Sequence, residues 1–126
     1  MLKITPVGEK AESGAIGTYR GVALKIARMN NARYKAIFRR LIRPYQKEVE
    51  NNTLDDQTSD SILCEALAEG ILIGWNKETF PGKVSYTVEN AKDLLLNDPD
   101  CREFVTEFAN DINNYLDAEE AEITKE

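Results

Sequence analysis

The chain contains no histidine, so the commonest general base and the commonest metal ligand are both missing from its chemistry. It has two cysteines, Cys64 and Cys101, each inside an expected helix with no second cysteine nearby. They read as small, reduced packing residues rather than as a redox or metal pair. No Gly-x-Ser-x-Gly, P-loop, dinucleotide fingerprint or Cys-x-x-Cys occurs. Long hydrophobic runs are missing too. The longest, Gly70-Ile71-Leu72-Ile73-Gly74-Trp75, falls far short of the roughly 20 residues that span a bilayer. The opening Met1-Leu2-Lys3-Ile4-Thr5-Pro6 lacks the basic-then-apolar plan of a signal peptide. These absences point to a cytoplasmic protein with no membrane contact, no metal and no cofactor. The carboxylate pairs Asp55-Asp56 and Asp98-Pro99-Asp100 lie beside expected helix starts, where they suit the positive end of the helix dipole better than acid–base catalysis. Cys64 has Asp60 and Glu65 close by in sequence, and such neighbours raise a thiol pKa rather than activate it. An enzyme is not expected.

What is present suffices for one domain. The 126 residues are 42% hydrophobic, enough for a core without disulfides or metals, and the mean hydropathy of -0.46 is that of a soluble chain. The net charge of -6 hides a strong asymmetry. Residues 1–50 carry 11 Lys and Arg against 4 Asp and Glu, a net of +7, whereas residues 51–126 carry 5 against 18, a net of -13. The halves attract each other, within one molecule or between neighbours in a homo-oligomer.

Residues 1–20 hold glycine and proline without a helical period and read as a flexible arm. Val22, Leu24 and Ile26 then alternate with small or charged residues, the pattern of one half-buried strand, whose partner would be the arm or residues 84–86. After the capping residues Asn30 and Asn31, the side chains Tyr34, Ile37, Phe38, Leu41, Ile42 and Tyr45 form a continuous apolar helical stripe. Pro44 should end or kink that helix, with residues 45–50 adding a further turn or two. Thr58, Ser59 and Asp60 offer caps for a central, most buried helix running to about Trp75, in which Ala66, Gly70 and Gly74 admit a close neighbour. A loop with a Pro81-Gly82 turn follows. Thr87 caps a helix over residues 88–96 with Val88, Ala91, Leu94 and Leu95 facing inward. Asp98 and Pro99 open the last helix, with Phe104, Val105, Phe108, Ile112, Tyr115 and Leu116 inside. The acidic tail, residues 117–126, should be disordered. The expected fold is mainly α: a compact bundle of about four helices over residues 21–116, with a minor short β-strand pair near the N-terminus.

Arg33, Arg39, Arg40 and Arg43 flank the first stripe, with Lys35 and Lys47 nearby. A basic helix over residues 31–43 can meet phosphates. The acidic half and the pI of 4.8 repel a polyanion, so the helix reads as solvated or protein-facing and nucleic acid as an improbable partner. Trp75, the sole tryptophan, reads as a core plug or, more sharply, as an anchor at a partner surface.

The order of pieces resembles a known family. Gly74-Trp75 ends an element, a loop carries Pro81-Gly82-Lys83-Val84, and Tyr86-Thr87 opens Val88-Glu89-Asn90-Ala91-Lys92-Asp93-Leu94-Leu95. A segment with Phe104, Ala109, Asp111, Asn114 and Tyr115 follows. This is similar to the tail assembly chaperones of siphophages, over about residues 20–116. The resemblance implies a mainly helical, non-catalytic protein that binds the tape measure protein and the major tail tube protein during tail morphogenesis and is absent from the mature virion. It directs attention to Arg33, Arg39, Arg40, Arg43, Trp75, Pro81, Gly82 and Tyr86 as partner-binding residues, while the opposite charges of the two halves allow head-to-tail rings or spirals. The competing expectations are a small nucleic-acid-binding regulator using the basic helix, and a tail connector or terminator protein that stays in the virion.

Overall fold

The computed structural model describes residues 13–115. Residues 1–12 of the expected arm, Leu116 and the acidic tail lie outside the described residues. The elements in chain order are β1 (Ala15–Tyr19), β2 (Val22–Ile26), α1 (Ala32–Ile42), α2 (Gln46–Glu50), α3 (Asp56–Gly70), β3 (Leu72–Trp75), α4 (Val88–Asn97) and α5 (Pro99–Asn110). Four of these helices have ten residues or more. They pack with a three-stranded antiparallel sheet of order β1-β2-β3. The expectation of a helical bundle with a minor strand pair is therefore corrected: the fold is a mixed one, helices together with a small sheet.

Two segments account for the correction. Residues 15–19, placed in the flexible arm by the sequence, are a strand that pairs with β2 from Ala15↔Ile26 to Tyr19↔Val22. The connection is the two-residue Arg20-Gly21 turn, with φ of +48° and +84°, the left-handed pair that matches the natural twist of a tight hairpin. Residues 84–86, the other candidate partner, stand outside the sheet. The second segment is the end of the central helix. It stops at Gly70 rather than near Trp75, and Leu72–Trp75 becomes β3, pairing Leu24↔Trp75, Lys25↔Gly74 and Ile26↔Leu72. Ile73 is the extra residue of a bulge there. The ladder is extended by Ala27 N donating to the Ile71 carbonyl at 2.7 Å and by Asn76 N donating to the Ala23 carbonyl at 2.9 Å.

The cap of α3 also differs from expectation. Asp55, not Thr58, Ser59 or Asp60, precedes the first turn, and its carboxylate accepts from Thr58 N at 3.1 Å. The other caps fall where the sequence places them. Asn31 accepts from Tyr34 N, Thr87 from Asn90 N and Asp98 from Cys101 N, with Pro99 opening α5. After α1, Arg43–Tyr45 forms a single 3-10 turn containing Pro44, and α2 follows it.

The core lies between sheet and helices. Leu24, Ile26, Leu67, Ile71, Leu72, Leu95, Val105 and Tyr115 are almost wholly buried. Two tyrosines tie sheet to helices through backbone carbonyls. The Tyr115 hydroxyl donates toward the carbonyls of Ile26 (3.0 Å) and Ala27 (3.1 Å), and that of Tyr86 toward Ala68 (2.7 Å) and Leu72 (2.8 Å). Burial pushes both phenols above their ordinary range. Unfolded tyrosines ionise near pH 10, before the folded ones do. Above that pH the unfolded state has released protons that the folded state still holds, so stability present below about pH 10 is lost as pH rises further. Denaturant midpoints at neutral pH and at about pH 11 should therefore differ, the alkaline one being lower; equal midpoints would show that these hydroxyls are free to ionise in the folded protein.

Candidate partner-binding surface

The segment after β3 is short, polar and exposed, yet it is held in one shape. Lys77–Thr79 and Pro81–Lys83 form successive 3-10 turns. Asn76 caps the first by accepting from Glu78 N at 3.0 Å. Thr79 Oγ1 donates to the Asn76 carbonyl (2.9 Å) and accepts from Ala23 N (3.0 Å), pinning the loop to β2. Gly82, at φ +74°, supplies the left-handed conformation that the second turn requires. Beneath the loop Trp75 stacks on Phe80 at 4.4 Å between ring centroids and meets Tyr86 edge-on at 5.1 Å. Its indole Nε1 donates to the Val84 carbonyl at 2.8 Å. Trp75 thus serves its own loop: its two ring contacts and its single donor all engage the chain between residues 76 and 87.

Beside this loop opens a cleft of about 260 Å³. Val22, Leu24, Phe80, Pro81, Leu94 and Cys101 give it apolar walls, and Tyr19, Arg20 and Asp98 stand at its polar end. Polar contacts cross there. The Tyr19 hydroxyl reaches Asp98 at 3.5 Å, Arg20 lies over the Tyr19 ring at 5.2 Å, and its guanidinium is 3.8 Å from Asp100. Burial first, and then Asp98, push the Cys101 thiol up to about 12, so the one nucleophilic side chain in the wall stays protonated at neutral pH. Asp98 is already engaged as the cap of α5. Such a cleft is suited to receiving an apolar side chain from a partner. Among the described residues no group of three metal-ligating side chains converges, and no helix is long and apolar enough to cross a membrane.

Trp75 and Tyr86, singled out in the sequence, meet edge-on, with Phe80 stacked on Trp75. Pro81 and Gly82 are exposed at the loop's outer turn, and Pro81 lines the cleft. Arg33, Arg39, Arg40 and Arg43 are all exposed on or just after α1 and line no part of the cleft. Burial raises the Tyr86 phenol, the charge of Arg33 partly offsets that, and Glu69 adds to it. Arg40 is bound to Glu69 at 2.6 Å. Tyr19, Arg20, Val22, Phe80, Leu94 and Asp98 were missed as site residues by sequence reasoning. Phe80, next to the expected Pro81-Gly82 turn, offered a signal; the others meet only because three distant segments converge.

The model of one family, described as YdaY prophage protein, matches residues 29–126. No curated protein and no solved structure matches the chain.

Proposed function

The chain belongs to the YdaY prophage protein family, and from that premise we propose that this phage protein is a tail assembly chaperone. In this reading it binds apolar helical segments of the tape measure protein, and tail tube subunits, in the host cytoplasm and leaves before the virion is complete. It acts by binding, not by catalysis. The observation that carries the reading is the apolar cleft beside a loop braced by Trp75. The residues of the tail-chaperone pattern, Gly74-Trp75, Pro81-Gly82 and Tyr86-Thr87, are those that brace and terminate this loop. A tape measure protein presents long apolar stripes that aggregate when bare. A small apolar socket with a polar edge covers one such side chain reversibly and yields it when a tube subunit competes.

The test is a pull-down of tagged protein from cells producing the phage, with mass spectrometry of what is retained and of purified particles. Tape measure or tube protein should be retained, and the chain should be missing from particles. Pro81→Glu, which sets a carboxylate at the cleft while leaving the core untouched, should fold normally and lose that capture. Stoichiometric presence in particles would make the chain a virion component such as a connector or terminator, and salt-sensitive recovery of nucleic acid alone would make it a regulator.

A further inference from the structure

The charge asymmetry of the sequence resolves onto two helices that leave each other unsatisfied. Residues 13–47 contain nine Lys and Arg and no carboxylate. Lys35, Arg39, Arg43 and Lys47 recur at intervals of four along α1 and its extension, and all are exposed. Lys35 and Arg39 share one side of α1, and Arg43 and Lys47 continue the series through the 3-10 turn into α2. Among the described residues none of the four has an ion pair; the pair that the basic helix does make belongs to Arg40 and Glu69. Beside the row runs a shallow groove of about 340 Å³, with Tyr34 and Phe38 in it and Lys35 and Arg39 at its edge. Beyond α1, every residue from 43 to 53 is exposed, including Tyr45 at 37% and Val49 at 46%. A five-residue helix has little stability of its own. This extension is presented outward instead of being packed into the core.

The complementary surface is α5. Asp100, Glu103, Glu107 and Asp111 follow one another at spacings of three, four and four, all exposed, along one side of that helix and its cap. Among the described residues only Asp100 has an ion pair, the 3.8 Å contact with Arg20. At about 1.5 Å of rise per residue the acidic row is roughly 16 Å long, and the basic series spans a comparable stretch of chain. We propose that the α1–α2 face of one molecule docks along α5 of a second copy of the chain, cation row against carboxylate row. A polyanion is the poorer occupant, because the net charge of -6 opposes it. The two patches differ, so the contact is heterologous: each molecule offers one basic and one acidic face, and association proceeds to a ring or an open chain rather than stopping at a two-fold dimer. This inference stands independently of the chaperone reading.

Sedimentation of the full, nuclease-treated chain tests it. The wild-type protein should self-associate, more strongly at low than at high ionic strength. Arg39→Glu with Arg43→Glu, and separately Glu103→Lys with Glu107→Lys, should each weaken association by about tenfold or more, because like charges then face each other. An equimolar mixture of the two variants should associate again, since each basic face meets an acidic one. The variants change exposed residues alone, and unchanged circular dichroism would confirm that both fold. A wild-type protein that stays monomeric in low salt, or a mixture of folded variants that fails to recover association, overturns the proposal. So does association that survives Glu103→Lys with Glu107→Lys but is lost when the carboxylates of residues 117–126 are neutralised, which would make the terminal segment the occupant.

Discussion

Gly70→Val is expected to cost about 3 kcal/mol of folding stability, the upper end of what overpacking a close contact does. Gly70 is the last residue of α3, at the point where α1 crosses it. A Cβ there would sit 2.9 Å from Tyr34 Cα and 3.1 Å from Tyr34 Cβ. The first of these is backbone and cannot rotate aside, so α1 itself must move. Asn31, the cap of α1, donates through Nδ2 to the Gly70 carbonyl at 3.2 Å and to the Arg28 carbonyl at 2.7 Å while accepting from Tyr34 N. Displacing α1 breaks this nearly buried junction as well as the packing of Tyr34 and Ile37. Gly70→Ala gives a graded control: its smaller clash is partly offset by the roughly 1 kcal/mol that alanine gains over glycine in a helix. Denaturant unfolding of the three proteins should rank glycine above alanine above valine. A valine variant within about 0.5 kcal/mol of wild type would mean that α1 has room to shift at this crossing.

The same region shows where sequence reasoning succeeds and where it stops. Gly70 was legible as a site of close approach because Ala66 and Gly70 stand one helical turn apart. The end of that helix was not. Ile71-Leu72-Ile73-Gly74-Trp75 is apolar on every side, and such a run fits a buried helix as well as a strand enclosed by its neighbours. Its two β-branched residues, Ile71 and Ile73, favoured the strand, but the partner that decides the matter, β2, lies some fifty residues earlier. Strand β1 was hidden for a different reason. Its inward positions are Ala15, Gly17 and Tyr19, and glycine does not register as apolar. Yet a Cβ at Gly17 would come within 2.8 Å of the Phe108 ring, so a larger residue there requires that ring to move. The stripe of α1 and the caps Asn31, Thr87 and Asp98 were legible because they are local, whereas the cap of α3 falls at Asp55, ahead of the residues the sequence offered. The cleft was not legible, because its walls come from the β1-β2 hairpin, the 76–87 loop and the α4–α5 junction.

Trp75→Ala should cost about 3 kcal/mol, at the low end of the range for truncating a large aromatic because the side chain is only partly buried. The loss would be concentrated in residues 76–87. With Trp75 gone, Phe80 loses its stacking partner, Tyr86 its edge contact and the Val84 carbonyl its donor. Thr79 and the Tyr86 hydroxyl still hold the two ends of the loop, so the centre should loosen while the flanking strand and helix persist. Hydrogen exchange should then show faster exchange across the loop, with the amides of α3 and α5 slowed as in wild type after correction for global stability. Phe80→Ala isolates the stack: it leaves the sole tryptophan in place, and its emission should shift to the red as the ring gains water. Both variants remove or loosen the Phe80 wall of the cleft, so both should weaken capture of an apolar partner, whereas Tyr45→Ala, far along the chain on the outward extension, should not. If Trp75→Ala left loop exchange unchanged but abolished partner capture, Trp75 would be a direct contact of the partner and not the brace of its own loop.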